Sequence, residues 1–235
     1  MIRSKRLSTV LLLLIAGSSL AYGQADPFAR DPLPEGWYAK IETSLGEMLI
    51  YLHPEQAPQS VAHFAGLANA ELAWTDRVSG ETRTNHYYDG LIVHRAKTAL
   101  RFEAGDPAGT GNGAPKLYVP PEVDRPMKFD QPYRMGLTRA SLNRISGAQF
   151  FISVSPEPYL NGRHPCIGTV VRGKTVARQI ASTRTYSNGR PVEPVTLEKV
   201  RVFKSGDPQP IPEPVPYDVV PEKLTPNTDP RTPGR

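Results

Sequence analysis

Short strand-like runs recur through the middle of this chain, each closed by glycine, proline or asparagine, and only two stretches read as helices. Residues 38–43 and 47–52 flank Ser44-Leu45-Gly46 and are expected to pair as a hairpin. Further runs follow at residues 91–95, 100–104, 135–138, 148–154 and 166–171. Gly109-Thr110-Gly111-Asn112-Gly113 and Asn161-Gly162 supply turns between them. From Pro58 the apolar residues Val61, Phe64, Leu67, Ala68 and Leu72 fall on one helical face, which is expected to cover an open end of a sheet and bury Phe64. Residues 74–85 are polar and charged and read as a surface loop. Many strands and few helices leave a β-barrel or a β-sandwich.

The two ends of the chain bound the folded part. Residues 1–23 carry Arg3, Lys5 and Arg6, then the apolar run 10–16, then Ala21-Tyr22-Gly23, the pattern of a cleavable export signal. The run is about seven residues, against about 20 needed to span a bilayer. No membrane insertion is expected after cleavage, and the mature protein is expected in the periplasm or outside the cell. Cleavage takes the formal charge from +5 to +2, which removes the electrostatic case for a nucleic-acid partner. Residues 24–36 are rich in proline and acidic side chains and are expected to form a flexible arm. After residue 204 prolines alternate from Pro208 to Pro216, and residues 205–235 are expected to form a disordered, polyproline-like tail. Such a tail is a spacer, a ligand for another protein, or a substrate in cis that docks in the protein's own groove. That leaves residues 37–204 as the single folded domain. Cys166 is the only cysteine, so no intramolecular disulfide forms, and its neighbours Pro165 and Ile167 suggest buried filler.

Arg95 places a permanent cation at the end of one strand-like run, while Gln149 and Phe151 put a two-donor amide beside an aromatic ring in another. Phe150 and Phe151 are adjacent, so in a strand they face opposite ways, and Phe150 is assigned to the core. A cation, an amide and an apolar ring converging on one groove suit a backbone amide flanked by proline. His94-Arg95 with Gly105-Asp106-Pro107, then Gly147-Ala148-Gln149-Phe150-Phe151-Ile152, then Tyr159-Leu160-Asn161-Gly162-Arg163-His164 with Ile167-Gly168, follow one another in the chain. These three blocks resemble the signature blocks of the cyclophilin-type peptidyl-prolyl cis-trans isomerases, in the family's order.

The resemblance implies a mainly β fold: a closed eight-stranded antiparallel cyclophilin-like barrel capped by two helices, the second at residues 174–181, with the last strand at 195–203. It implies that Leu100 and Phe151 line a proline pocket, that Leu160 and His164 stand at its edge, that Tyr159 supplies an aromatic wall, and that Gln149 holds the peptide backbone. It also places Leu100, Arg101 and Glu103 where the family usually has phenylalanine, methionine and glutamine. A carboxylate at Glu103 either orients Arg95, clamps it, or pairs with Arg101 and leaves Arg95 free, and turnover is expected to be reduced.

The chemistry needs no covalent step. Rotation about the X-Pro bond requires a twisted amide whose nitrogen has regained its lone pair, and a guanidinium aimed at that nitrogen is strongest in the twisted state. Arg95 is assigned that role. Proline-containing polypeptides are the expected partners of a monomer with no cofactor. The five histidines show no metal-ligand spacing, Ser141, Ser146 and His164 make no recognisable nucleophile arrangement, and residues 105–113 lack the lysine of a phosphate loop. The alternative is a module that binds proline-containing peptides without turning them over.

Overall fold

The computed structural model describes residues 26–141, 144–215 and 217, so the export-signal pattern at 1–23 lies outside the described residues. β1 (Gly36–Thr43) and β2 (Gly46–Leu52) form the expected hairpin, in register from Trp37 opposite Leu52 to Thr43 opposite Gly46. Helix α1 (Pro58–Ala68) begins at the expected proline. Its N-cap, Ala57, has no side chain to offer. Glu122 serves instead from 62 residues away, accepting from the backbone N–H of Gln59 at 3.0 Å and of Ser60 at 2.9 Å. Leu72, expected on the helical face, follows the helix end and packs against the core from a loop.

Two tiny strands come next, β3 (Trp74–Thr75) and β4 (Thr82–Arg83). Residues 75–85 lie at the surface as expected, and Trp74 alone is buried, edge-on against Tyr87 at 4.9 Å with the Arg83 guanidinium over its ring. The remaining elements are β5 (Arg95–Lys97), β6 (Arg101–Ala104), β7 (Tyr118–Val119), β8 (Arg134–Ser141), β9 (Arg144–Ser153), β10 (Cys166–Arg172), α2 (Lys174–Ala181) and β11 (Leu197–Ser205). Residues 91–94, expected within a strand, precede β5 and carry only an isolated bridge at Ile92.

The main sheet is antiparallel, in the order β11-β1-β2-β10-β8-β9-β6-β5, with β7 added to β9. It curls into a half-barrel, which corrects the expectation of a closed one. The path ends, β11 and β5, do not ladder together. The gap is spanned by the bridge from Ile92 to Thr196 and its flanking bonds, Val93 N–H to Val195 O at 2.9 Å and Leu197 N–H to Leu91 O at 2.7 Å. Inside, Phe64 of α1 meets Tyr88 at 5.1 Å and Phe150 at 5.8 Å. Tyr87 and Tyr88 are buried because their hydroxyls find carbonyls, Gly105 O at 2.9 Å and Ala148 O at 3.0 Å.

Of the expected flexible arm and disordered tail, residues 26–36 and 206–215 are fastened down, while the rest of the tail, beyond residue 217, lies outside the described residues. Phe28 packs on Tyr38 and Tyr51, Asp31 pairs with Arg172 at 3.1 Å, and Pro34 O accepts from the Tyr38 hydroxyl at 2.8 Å. At the other end, residues 206–215 lie back across α1. Every residue of α1 from 60 to 68 is buried: the helix packs on β9, β11 and β7, and the returning chain adds bonds from Glu213 and Val215 to Gln59 and His63.

Candidate active site

Cross-strand pairing builds the site. Arg95 is opposite Glu103, Glu103 opposite Phe151, Phe151 opposite Gly136, and Gly136 opposite Cys166. Paired positions share a face, so these residues form one row across five strands, with Gln149 two positions along β9 on the same side. Phe102, Ala104, Phe150 and Ile152 alternate onto the core face. Arg95, Gln149 and Phe151 therefore lie on one face of the sheet.

Phe151 sits at the bottom of an apolar slot. Phe129 lies 5.2 Å from its ring and His164 meets it edge-on at 5.3 Å, with Leu160 and Cys166 completing the cluster. Gly136 is required here, since a Cβ would come within 2.6 Å of Phe129 and 2.7 Å of Phe151. Burial pushes the Cys166 thiol up to about 12, in keeping with inert filler. His164 Nδ1 lies 3.0 Å from Leu137 O and must donate to it, and burial lowers its pKa, so the ring is neutral at pH 7. Leu100, expected to line the slot, precedes β6 in a turn and is 39% exposed. Phe129, which sequence reasoning missed, makes the wall on that floor.

The slot is roofed. The Arg101 guanidinium stands over the Phe151 ring, and Phe151 is only 1% exposed. Arg101 is held there by two carboxylates: its Nε is 3.0 Å from Glu103 Oε1 and its Nη1 is 2.6 Å from Glu157 Oε1. Nη1 also donates to the Tyr159 hydroxyl at 2.8 Å, and that hydroxyl donates to Glu157 at 2.5 Å. Tyr159, expected as an aromatic wall, thus acts as a tie between Arg101 and Glu157. Glu157 was not foreseen. The signal for it was Arg101 itself, a cation at an apolar position that requires a buried acid.

The pairings left open by the sequence now separate. Glu103 gives its short contact to Arg101 and lies 3.7 Å from Arg95 Nη1, so Arg95 is loosely held and its side chain is 44% exposed. Beside it, the Gln149 amide donates to Gly111 O at 3.0 Å and accepts from Thr138 at 3.2 Å. Asp106 shapes the loop that presents Gly111: its carboxylate accepts from the N–H groups of Ala108 and Thr110, each at 2.9 Å, and from the Thr110 hydroxyl. Burial raises the Asp106 pKa, but bonds from Gly113, Ala108 and Thr110 outweigh it and hold the carboxyl below its ordinary value. Next to Gln149 opens a cavity of about 230 Å³, lined by Arg77, Asn112 and Tyr118 among others. Among the described residues, no group of three or more His, Cys, Asp or Glu side chains is placed to hold a metal ion.

Residues 38–202 match the family model for cyclophilin type peptidyl-prolyl cis-trans isomerases. The chain belongs to this family. Its cyclophilin relatives include the peptidyl-prolyl cis-trans isomerase B of Streptomyces anulatus, 35% identical over 173 residues, which are 72% of this chain and 98% of the relative. The isomerase A of Mycobacterium tuberculosis is 33% identical over 166 residues, 70% of this chain and 91% of its own. Among solved structures, the cyclophilin of Cryptosporidium parvum, studied in the presence of the dipeptide Ala-Pro, superposes with a TM-score of 0.61 at 21% identity, covering 71% of this chain and 98% of that one. The cyclophilin fold is common to both, and the family-model match ends at residue 202, ahead of the returning C-terminal segment.

Proposed function

We propose that this cyclophilin catalyses cis-trans exchange at X-Pro bonds of exported polypeptides, with Arg95 as the catalytic residue. The barrier to be lowered is about 18–20 kcal/mol, and the two proline isomers differ by only about 0.5–1 kcal/mol, so catalysis depends on favouring the twisted amide alone. Arg95 stays protonated at any working pH and carries a rigid fork of donors for the pyramidal proline nitrogen. The observation that carries the reading is the lateral row: Arg95 is aligned with Phe151, half-exposed, and kept 3.7 Å from Glu103 because Arg101 takes the shorter contact. Gln149, exchanging Gly111 O for a peptide group, would hold the chain on one side of the bond while the other turns. Proline-containing peptides as substrates agree with the relatives' names and with the Ala-Pro dipeptide of the Cryptosporidium parvum structure. Export rests on the basic, apolar and small-residue pattern of residues 1–23.

One observation favours a second reading, a peptide-binding module with little turnover: Arg101 covers the ring on which the substrate proline would rest. Exchange spectroscopy on a short Ala-Pro peptide separates the two. An isomerase broadens and exchanges the cis and trans resonances, whereas a binder shifts them without speeding interconversion. Equal exchange rates with wild type and Arg95→Ala would overturn the catalytic assignment.

A further inference from the structure

Residues 206–215 carry a proline at every second position from Pro208 to Pro214, yet their burial repeats every third residue. Pro208, Ile211 and Pro214 are half-buried and the residues between them are exposed. A repeat of three is the period of the polyproline II helix, and a strand would alternate by two. Proline has no N–H, so such a segment cannot join the edge of the sheet as a full ladder strand and must be received by side chains. The structure supplies them. The Trp37 indole donates to Gln209 O at 2.8 Å. Gln59 donates to Glu213 O at 3.3 Å and accepts from Val215 N–H at 2.8 Å. His63 Nε2 lies 3.0 Å from Val215 O, so it is the donor there. His63 is only 1% exposed, and the three receiving residues belong to β1 and α1, so the receptor is built into the domain.

We propose that the face carrying Trp37, Gln59 and His63 is a polyproline-II binding site. Residues 208–215 fill it in cis, and a basic, proline-rich segment of a partner polypeptide takes their place. An indole donor presented to a chain carbonyl beside apolar surface is the general means by which domains take proline-rich segments. The charge pattern assigns the partner. Alongside the segment lies a cavity of about 520 Å³ whose lining includes Trp37, Tyr51, Pro54 and the carboxylates Glu35 and Glu55, with no basic residue among the described residues that line it. Of the two acids in the cis segment, Asp207 is paired with Lys204 at 3.2 Å, and Glu213 is bonded to no cation among the described residues. A lysine or arginine in a partner segment would complement what the cis segment does not. The tether compensates for the mismatch, since a short linker holds the segment at an effective concentration on the order of millimolar. None of the residues that receive the segment belongs to the Arg95–Phe151 row, so this site stands or falls apart from the isomerase reading.

The test uses the full chain. Two synthetic peptides, one copying residues 206–215 and one with lysine in place of Glu213, are titrated into wild type and into a Pro208→Ser, Ile211→Ser, Pro214→Ser variant. The Trp37 indole N–H resonance is the readout, and fluorescence anisotropy of dye-labelled peptides replaces it where Trp37 is substituted. The variant is expected to bind both peptides, the lysine peptide several-fold tighter, with wild type weaker by about tenfold or more because its own segment competes. Absence of binding to the folded variant, equal affinity for the two peptides, or binding that survives Trp37→Phe would each overturn the proposal. Should the triple variant fail to fold, Gln59→Ala in the intact chain provides the check. Hydrogen exchange at the Val215 amide should then accelerate at least tenfold, and unchanged protection would overturn the proposal.

Discussion

Arg101 covers Phe151, its Cζ 5.7 Å from the ring centroid, and the two acids that fix it in place, Glu103 and Glu157, are themselves buried. One guanidinium therefore closes the apolar slot and at the same time draws Glu103 away from Arg95.

Removing that guanidinium should destabilise the fold. In Arg101→Met, Glu157 loses the only cation bonded to it among the described residues, while its side chain stays out of water. Breaking one side of a buried pair costs about 3–5 kcal/mol. Adding Glu157→Gln should recover a substantial part of the loss. Urea denaturation of the single and double variants checks this, and a single-variant loss below about 1 kcal/mol would show that the network contributes little.

Turnover should respond in the opposite order to the usual view of charge removal. With Arg101 gone, Glu103 is free to close on Arg95, and exchange catalysis should fall. Adding Glu103→Gln releases Arg95 and should restore catalysis to at least the wild-type rate over a slot that is now open. Exchange spectroscopy on the Ala-Pro peptide measures both steps. A triple variant that also carries Glu157→Gln keeps the buried acid from obscuring the result.

Arg95→Ala should lower the exchange rate by about 10²–10³, the loss expected for one transition-state donor. Stability should change by no more than about 0.5 kcal/mol, because the side chain is half in solvent and its ion pair is long. Arg95→Lys should recover little, since a point charge lacks the planar fork. Parallel melts and kinetics on the same samples separate loss of chemistry from loss of fold.

Acid should weaken the fold before its carboxylates titrate. Burial is the leading cause that lowers the pKa of His53, His63, His94 and His164. The unfolded chain takes up these protons near pH 6.5 and the folded chain resists, so their contribution is complete above about 6.5 and declines as pH falls through the lowered folded values. Melting temperature should therefore drop as pH falls from about 6.5 toward the region near pH 4 where Asp106 begins to matter. A flat profile over that range would rule the histidines out as a source of acid sensitivity.

Gly105→Ala should be among the more damaging small changes. Gly105 has φ +94° and a Cβ there would stand 2.4 Å from Ala148 O, a backbone atom that cannot swing aside. Strain of this kind costs about 1–3 kcal/mol before the contact is counted. The neighbouring Tyr87 bond to Gly105 O should be lost with it, which fluorescence-monitored unfolding would register as a lower midpoint.

Local signals carried most of what the sequence revealed. The β1–β2 hairpin and the start of α1 at Pro58 follow from turn residues and periodicity, which act over a few positions, while α2 followed from the family resemblance. The row of Arg95 and Phe151 was legible because the two blocks that carry them are specific. What stayed hidden depends on contacts distant in the chain. Glu157 reaches Arg101 across 56 residues, Phe129 comes from a stretch with no period at all, and Gln209 meets Trp37 across 172 residues. The proline-rich segment lacks apolar mass and reads as disordered by composition, although side chains on α1 and β1 hold it.

Arg95 reaches its neighbours only through the pairing of β5 with β6, a hairpin of seven strand residues closed by Ala99 at φ +58°. A slip of one position in that pairing would turn the guanidinium to the opposite side of the weave and bring an apolar side chain outward. Reactivity in this protein is therefore a gauge of registration: any molecule in a sample whose short hairpin has frayed or mispaired is silent, whatever the state of the remaining sheet.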